Sequence, residues 1–106
     1  MNVNPLRSIW KDGGVAIGTY LMFSRDIAAV EIAAAAGLDY ILFDLEHRPQ
    51  DSMTLHDLCQ VARLAGMAAL VGPKDITPHA ISHALELGAS GVVIPHVETP
   101  QEVAIA

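Results

Sequence analysis

A parallel α/β fold built from about four strand-then-helix units is what the sequence predicts. Three observations carry this: short apolar runs recur about every 25 residues, cap signals with helical stripes follow them, and glycine closes three of the stripes. Strands arranged this way run parallel and are joined by right-handed crossovers.

Residues 6–11 predict a short lead-in helix ended by Asp12-Gly13-Gly14, and residues 15–22 the first strand. Ser24 offers an N-cap, Asp26 places an acid in the first turn, and an alanine-rich helix runs to Gly37. Tyr40-Ile41-Leu42-Phe43 is a continuous apolar run suited to a strand covered on both faces, predicted over residues 40–44. Thr54 is the expected cap of the next helix, whose stripe is Leu55, Leu58, Cys59, Ala62 and Ala65 before Gly66. A third strand is expected over residues 67–71. Thr77-Pro78 then combines a cap with a proline at the first helical position, and Ile81, Ala84 and Leu85 form the apolar face of a helix closed by Gly88. The fourth strand is expected over residues 91–95. Thr99-Pro100-Gln101-Glu102 has the pattern of a capping box opening a further helix. No linker or low-complexity segment interrupts the series, so residues 1–106 read as one partial domain. Periodicity alone fits a small open sheet and half of a closed barrel equally well.

The bulk properties exclude several classes. The chain has 106 residues, 52% hydrophobic and 17% charged, a composition that favours folding over disorder. A complete eightfold barrel needs roughly 250 residues. Twelve acidic against six basic residues give a net charge of -6, with no basic cluster to follow a nucleic-acid backbone. No apolar stretch approaches the ~20 residues of a membrane helix. The first residues carry no secretion pattern, so a cytoplasmic location is expected. Cys59, the single cysteine, lies on a helix stripe and reads as core packing.

In parallel α/β folds the chemistry collects at the carboxyl ends of the strands, where Asp44-Leu45-Glu46-His47 falls. An aspartate three residues before a histidine can hold one ring nitrogen and make the other more basic, poised to move a proton. A polar loop of caps and ion pairs accounts for the same residues without chemistry.

The run Phe43-Asp44-Leu45-Glu46-His47-Arg48-Pro49-Gln50-Asp51 resembles the Asp-x-Glu-His-x-Pro-x-Asp signature of the HpcH/HpaI aldolases. Gly37-Leu38-Asp39-Tyr40, Leu87-Gly88-Ala89 and Val93-Ile94-Pro95-His96-Val97 extend the likeness over essentially the whole chain. The resemblance implies a (β/α)8, or TIM, barrel of which this chain supplies the N-terminal half. It further implies a carbon–carbon lyase that cleaves 4-hydroxy-2-oxo acids into pyruvate and an aldehyde, assisted by magnesium, manganese or cobalt. His47 and Asp44 would be catalytic, with Glu46 and Arg48 supporting them. The family's metal ligands would lie beyond Ala106, so this chain alone is expected to hold no metal. Where the family has a substrate-binding arginine after the third strand, this chain has Gly72, with Lys74 nearby as a possible substitute.

Other signals are weaker. His79 and His83, with Glu86, could share a helix face, but read as solvated surface opposite Ile81 and Leu85. His96 and Glu98 follow the fourth strand and could border a pocket; His56 reads as an exposed helix residue, and Ser24 lacks the surroundings of a nucleophile. The leading expectation is a lyase half-site in a homo-oligomer, acting on a 2-oxo acid and an aldehyde. The alternatives are a catalytically inactive half-barrel that self-associates through its strand edges and a small open-sheet binding module.

Overall fold

The computed structural model describes residues 4–22, 24–47 and 51–106. Its elements follow in the order α1 (Pro5–Lys11), β1 (Gly18–Leu21), α2 (Ile27–Ala35), β2 (Tyr40–Asp44), α3 (Ser52–Leu64), β3 (Ala68–Gly72), α4 (Pro78–Glu86), β4 (Gly91–Val92) and α5 (Pro100–Ile105). The strands form one parallel sheet in the order β1-β2-β3-β4, as the alternating pattern predicts. Among the described residues no helix is long and apolar enough to cross a membrane.

The two faces of the sheet differ. Ile41 and Phe43 of β2 pair in register with Ala69 and Val71 of β3, and all four are fully buried. Val30 and Ala33 of α2, Leu55, Leu58, Cys59 and Ala62 of α3, and Ala84 of α4 complete this core. Side chains alternate along a strand, so Tyr40, Leu42 and Asp44 lie on the opposite, inner face with Tyr20 and Leu70. Leu42 and Leu70 are only half-buried there, so the coverage on both faces expected for β2 is met on the helix side alone.

Backbone chemistry sets where the elements stop. The first strand is shorter than residues 15–22 because pairing begins at Gly18 opposite Tyr40, and Val15 and Ile17 remain exposed. At Gly18 a Cβ would lie 2.4 Å from the Tyr40 carbonyl oxygen, so only glycine permits this approach. The fourth strand covers two of its five expected residues. Its partner β3 ends at Gly72 before Pro73, and Pro95 likewise has no N–H to extend the ladder. The third strand is displaced by one residue, and Gly66, at φ +86°, makes the left-handed turn between α3 and that strand.

Two caps differ from expectation because a nearby carboxylate takes the role from the expected hydroxyl. Asp26, not Ser24, caps α2 by accepting from the Ala28 N–H at 2.9 Å, while Ser24 accepts from Asp26. Asp51, not Thr54, caps α3, taking the Thr54 N–H at 2.9 Å and its hydroxyl at 2.6 Å. Thr77 and the Thr99–Glu102 capping box stand as predicted. The face of α4 is rotated from the expected one. Ala84 packs fully against the sheet, whereas Leu85 is 48% exposed.

Among the described residues Phe43 is the largest fully buried side chain, so Phe43→Ala is expected to cost about 3–5 kcal/mol of stability. Leu85→Ser should stay within about 0.5 kcal/mol, since it removes little packing. Urea unfolding followed by circular dichroism measures both; equal losses would contradict the observed division between core and surface.

Candidate functional site at the carboxyl ends of the strands

Asp44 is the last residue of β2 and points to the inner face, where it is 6% exposed. Four donors converge on its carboxylate. Oδ1 accepts the backbone N–H groups of Glu46 at 2.7 Å and His47 at 3.3 Å, folding the chain back on itself directly after the strand. That turn brings His47 Nδ1 to 2.6 Å from Asp44 Oδ2, and the Tyr20 hydroxyl donates to the same oxygen. Tyr20 reaches it because its position on β1 pairs with Leu42, one inner-face step below Asp44.

The electrostatics follow from these contacts. Burial alone would raise the Asp44 pKa, but the hydrogen bonds from Tyr20, His47 and the two backbone N–H groups prevail and hold it at about 2. The bond to Asp44 also raises the His47 pKa, reinforced by the charges of Asp44 and Glu46. Tyr20 is pushed up to about 12, chiefly by its hydrogen bond to Asp44, then by burial and the same two charges. With Nδ1–H directed at an ionised carboxylate, His47 keeps the lone pair on Nε2, and its side chain is 59% exposed. The arrangement can accept and return a proton at Nε2.

Around the dyad, Tyr20, Leu42, Asp44, His47, Gly72 and Val93 line a shallow cleft of about 190 Å³. Glu46 Oε1 lies 2.6 Å from His96 Nε2, tying the loop after β2 to the loop after β4. His96 takes φ +53°, an uncommon conformation for a residue other than glycine. The structure thus brings Asp44, Glu46, His47, Gly72 and His96 to one rim, whereas Arg48 lies outside the described residues. Glu98 instead uses its backbone N–H to bond the Glu102 carboxylate.

Other expectations resolve away from this rim, to which Gly72 itself belongs. Gly72 pairs with Asp44, and its carbonyl accepts the Leu45 N–H at 2.9 Å. Lys74 lines a separate groove with Ser52, His79 and His83 and is not among the residues that line the cleft at Gly72. His79 and Glu86 are exposed, as a solvated stripe would be, whereas His83 is half-buried with Nε2 3.1 Å from Ser52 Oγ, and the rings of His79 and His83 stack at 6.1 Å. His56 lies beside Asp57 with its side chain 43% exposed, in keeping with the expected surface position, while Cys59 is core packing as expected, its thiol pushed up to about 12 by burial. Tyr20 had no signal in the sequence beyond an aromatic residue in a strand.

Asp44, Glu46 and His47 have ligand-type atoms within 4.8 Å of one another. They do not fit a divalent cation as a set. Both Asp44 oxygens already serve two donors each, His47 Nδ1 is turned inward to Asp44, and Glu46 is engaged by His96.

The sequence model of the family described as HpcH/HpaI aldolase/citrate lyase matches residues 17–106. The chain is 31% identical over 104 residues to a pyruvate aldolase of Rhizobium etli, covering 98% of this chain and 41% of that protein. It is 34% identical over 108 residues to a hydroxypyruvate/pyruvate aldolase of Deinococcus radiodurans, covering 96% and 38%. The crystal structure of an HpcH/HpaI aldolase from Desulfitobacterium hafniense superimposes with a TM-score of 0.91 at 29% identity, over 97% of this chain and 40% of that one. The chain therefore spans about two fifths of the length of these relatives.

The opposite shifts of Asp44 and His47 set a pH window. Asp44 stabilises the fold fully above its ordinary value of 3.8, and this is lost as the pH falls toward about 2. His47, raised above 6.5, contributes fully below that value and loses its contribution as the pH rises through its elevated one. The urea-midpoint difference between the unaltered chain and Asp44→Asn should thus be widest between about pH 4 and 6.5, narrowing on both sides. A difference independent of pH would show that the pair is not coupled.

Proposed function

Because the chain belongs to the HpcH/HpaI aldolase/citrate lyase family, we propose that it supplies the proton-transferring side of a carbon–carbon lyase site. The reaction is the cleavage of a 4-hydroxy-2-oxo acid to pyruvate and an aldehyde. The observation that carries the reading is the 2.6 Å contact between Asp44 and His47 Nδ1 on the inner face, where the strands end and a cleft opens.

His47 Nε2 takes the proton from the 4-hydroxyl group. The C3–C4 bond then breaks, its electron pair moving toward the 2-oxo group as the aldehyde carbonyl forms. Return of the proton to C3 gives the methyl group of pyruvate. Asp44 holds the ring and stabilises the imidazolium between these steps, while Glu46 steadies the loop. A divalent cation such as magnesium, manganese or cobalt in a complete family site would make the 2-oxo group a better electron acceptor; its ligands are not the described Asp44, Glu46 and His47. In this reading residues 1–106 are one partial barrel domain, and a homo-oligomer completes the assembly.

A second reading, an inactive half-barrel that self-associates, draws support from Gly72, which offers no charge to a 2-oxo acid, and from exposed apolar residues such as Val15, Ile17 and Val93. Sedimentation of the chain at tens of micromolar should show dimers or larger species. A clean monomer would contradict association in both readings.

Deuterium uptake into pyruvate with manganese present separates them. The chain alone should show little exchange. Complemented by the remaining segment of a relative, it should gain activity that His47→Ala lowers by about 10²–10⁴-fold. No exchange after complementation favours the inactive half-barrel. At Gly72 a Cβ would meet only ordinary contacts beyond 3.6 Å, so Gly72→Arg is sterically admissible. Restoring a charge-assisted contact of ~1.5–3 kcal/mol should then lower the KM for pyruvate roughly tenfold or more.

A further inference from the structure

Tyr20 and His47 address the same oxygen of Asp44 from opposite ends of the site. The phenol comes from β1 and the imidazole from the loop after β2, while the other oxygen is held by two backbone N–H groups. We infer that Tyr20 is a positioning residue for the dyad, acting on His47 through Asp44 by fixing the carboxylate and sharing the charge of the oxygen that faces the imidazole. The inference rests on the reading of His47 as the proton carrier.

The physical consequence has a definite sign. A donor on Oδ2 withdraws part of the charge that would otherwise favour the imidazolium. Without the hydroxyl, His47 would be the sole donor to that oxygen and would hold its proton more tightly. Tyr20 thereby keeps Nε2 available as a base closer to neutral pH. The other groups facing His47 among the described residues are Glu46, whose Oε2 is 3.9 Å from Nδ1, and His96, which reaches it only through Glu46. Gly72 of β3 and Val93 after β4 bring no charge to the cleft.

The test is the titration of His47 followed by NMR in the 106-residue chain, with the His47 signal assigned by its loss in His47→Gln. Tyr20→Phe retains the ring on the inner face and removes only the hydroxyl. The His47 midpoint should rise by about 0.3–1 pH unit, a roughly two- to tenfold tighter hold on the proton. In an Asp44→Asn background the same substitution should shift it by less than about 0.1 unit, because the connecting carboxylate is gone. A rise that persists in that background, or no rise with Asp44 intact, overturns the inference. A second measurement does not depend on the Phe variant folding. Fluorotyrosine incorporated into a Tyr40→Phe chain makes the Tyr20 hydroxyl a stronger donor and should lower the His47 midpoint; an unchanged midpoint also overturns the inference. Neither titration requires turnover, so a failed deuterium-exchange assay would remove the lyase reading without deciding this one.

Discussion

The site depends on the Asp44 carboxylate remaining ionised while almost entirely buried. Such a group is tolerated only when donors replace the water it has lost, and here four do so. Each donor ties down a different part of the chain. The two backbone N–H groups shape the turn after β2, the imidazole orders His47, and the phenol connects β1 to β2 above their shared ladder. Local geometry and chemistry are therefore one arrangement, and the contacts that lower the Asp44 pKa also give His47 its direction and basicity.

The strand period carries this arrangement into the core. Phe43 and Asp44 are neighbours in sequence but face opposite sides of the sheet, one into the packed helices and the other into the cleft. A shift of β2 by a single residue would place the acid among Leu55, Leu58 and Cys59 and expose the aromatic ring. The hydrophobic core thus specifies the register that presents the dyad. Gly18 adds to this specification, because its missing side chain lets β1 approach Tyr40 closely enough for Tyr20 to stand below Asp44.

Much of this was legible in the sequence wherever the signal was local. The span of β2, the buried stripe of α3, and the Thr77 and Thr99 caps follow from spacing and capping chemistry within a few residues. The Asp44–His47 pair was legible for the same reason, since three residues of turn suffice to join them. Signals depending on distant partners were not. The end of β4 was set by Pro73, directly after the neighbouring strand, and the exposure of Leu85 beside the buried Ala84 by how α4 meets a two-residue strand. Tyr20 could be found only once the register between β1 and β2 was known. That Lys74 borders a groove other than the one at Gly72 was not legible either, because nearness in sequence does not say which cleft a side chain lines.

The charge around the cleft gives the arrangement its direction. Among the described residues it is lined by two acids, Asp44 and Glu46, each already matched to an imidazole, His47 or His96. At the end of β3, between these two pairs, Gly72 contributes backbone alone. Such a rim is suited to moving a proton, because a proton taken up by His47 turns a carboxylate beside a neutral imidazole into an ion pair, so no unpaired charge is created. It is poorly suited to holding an anion, because an approaching carboxylate meets acids before any unpaired cation. A 2-oxo acid bound here would therefore need positive charge from groups other than the described rim residues, and the rim's own part would be confined to the proton.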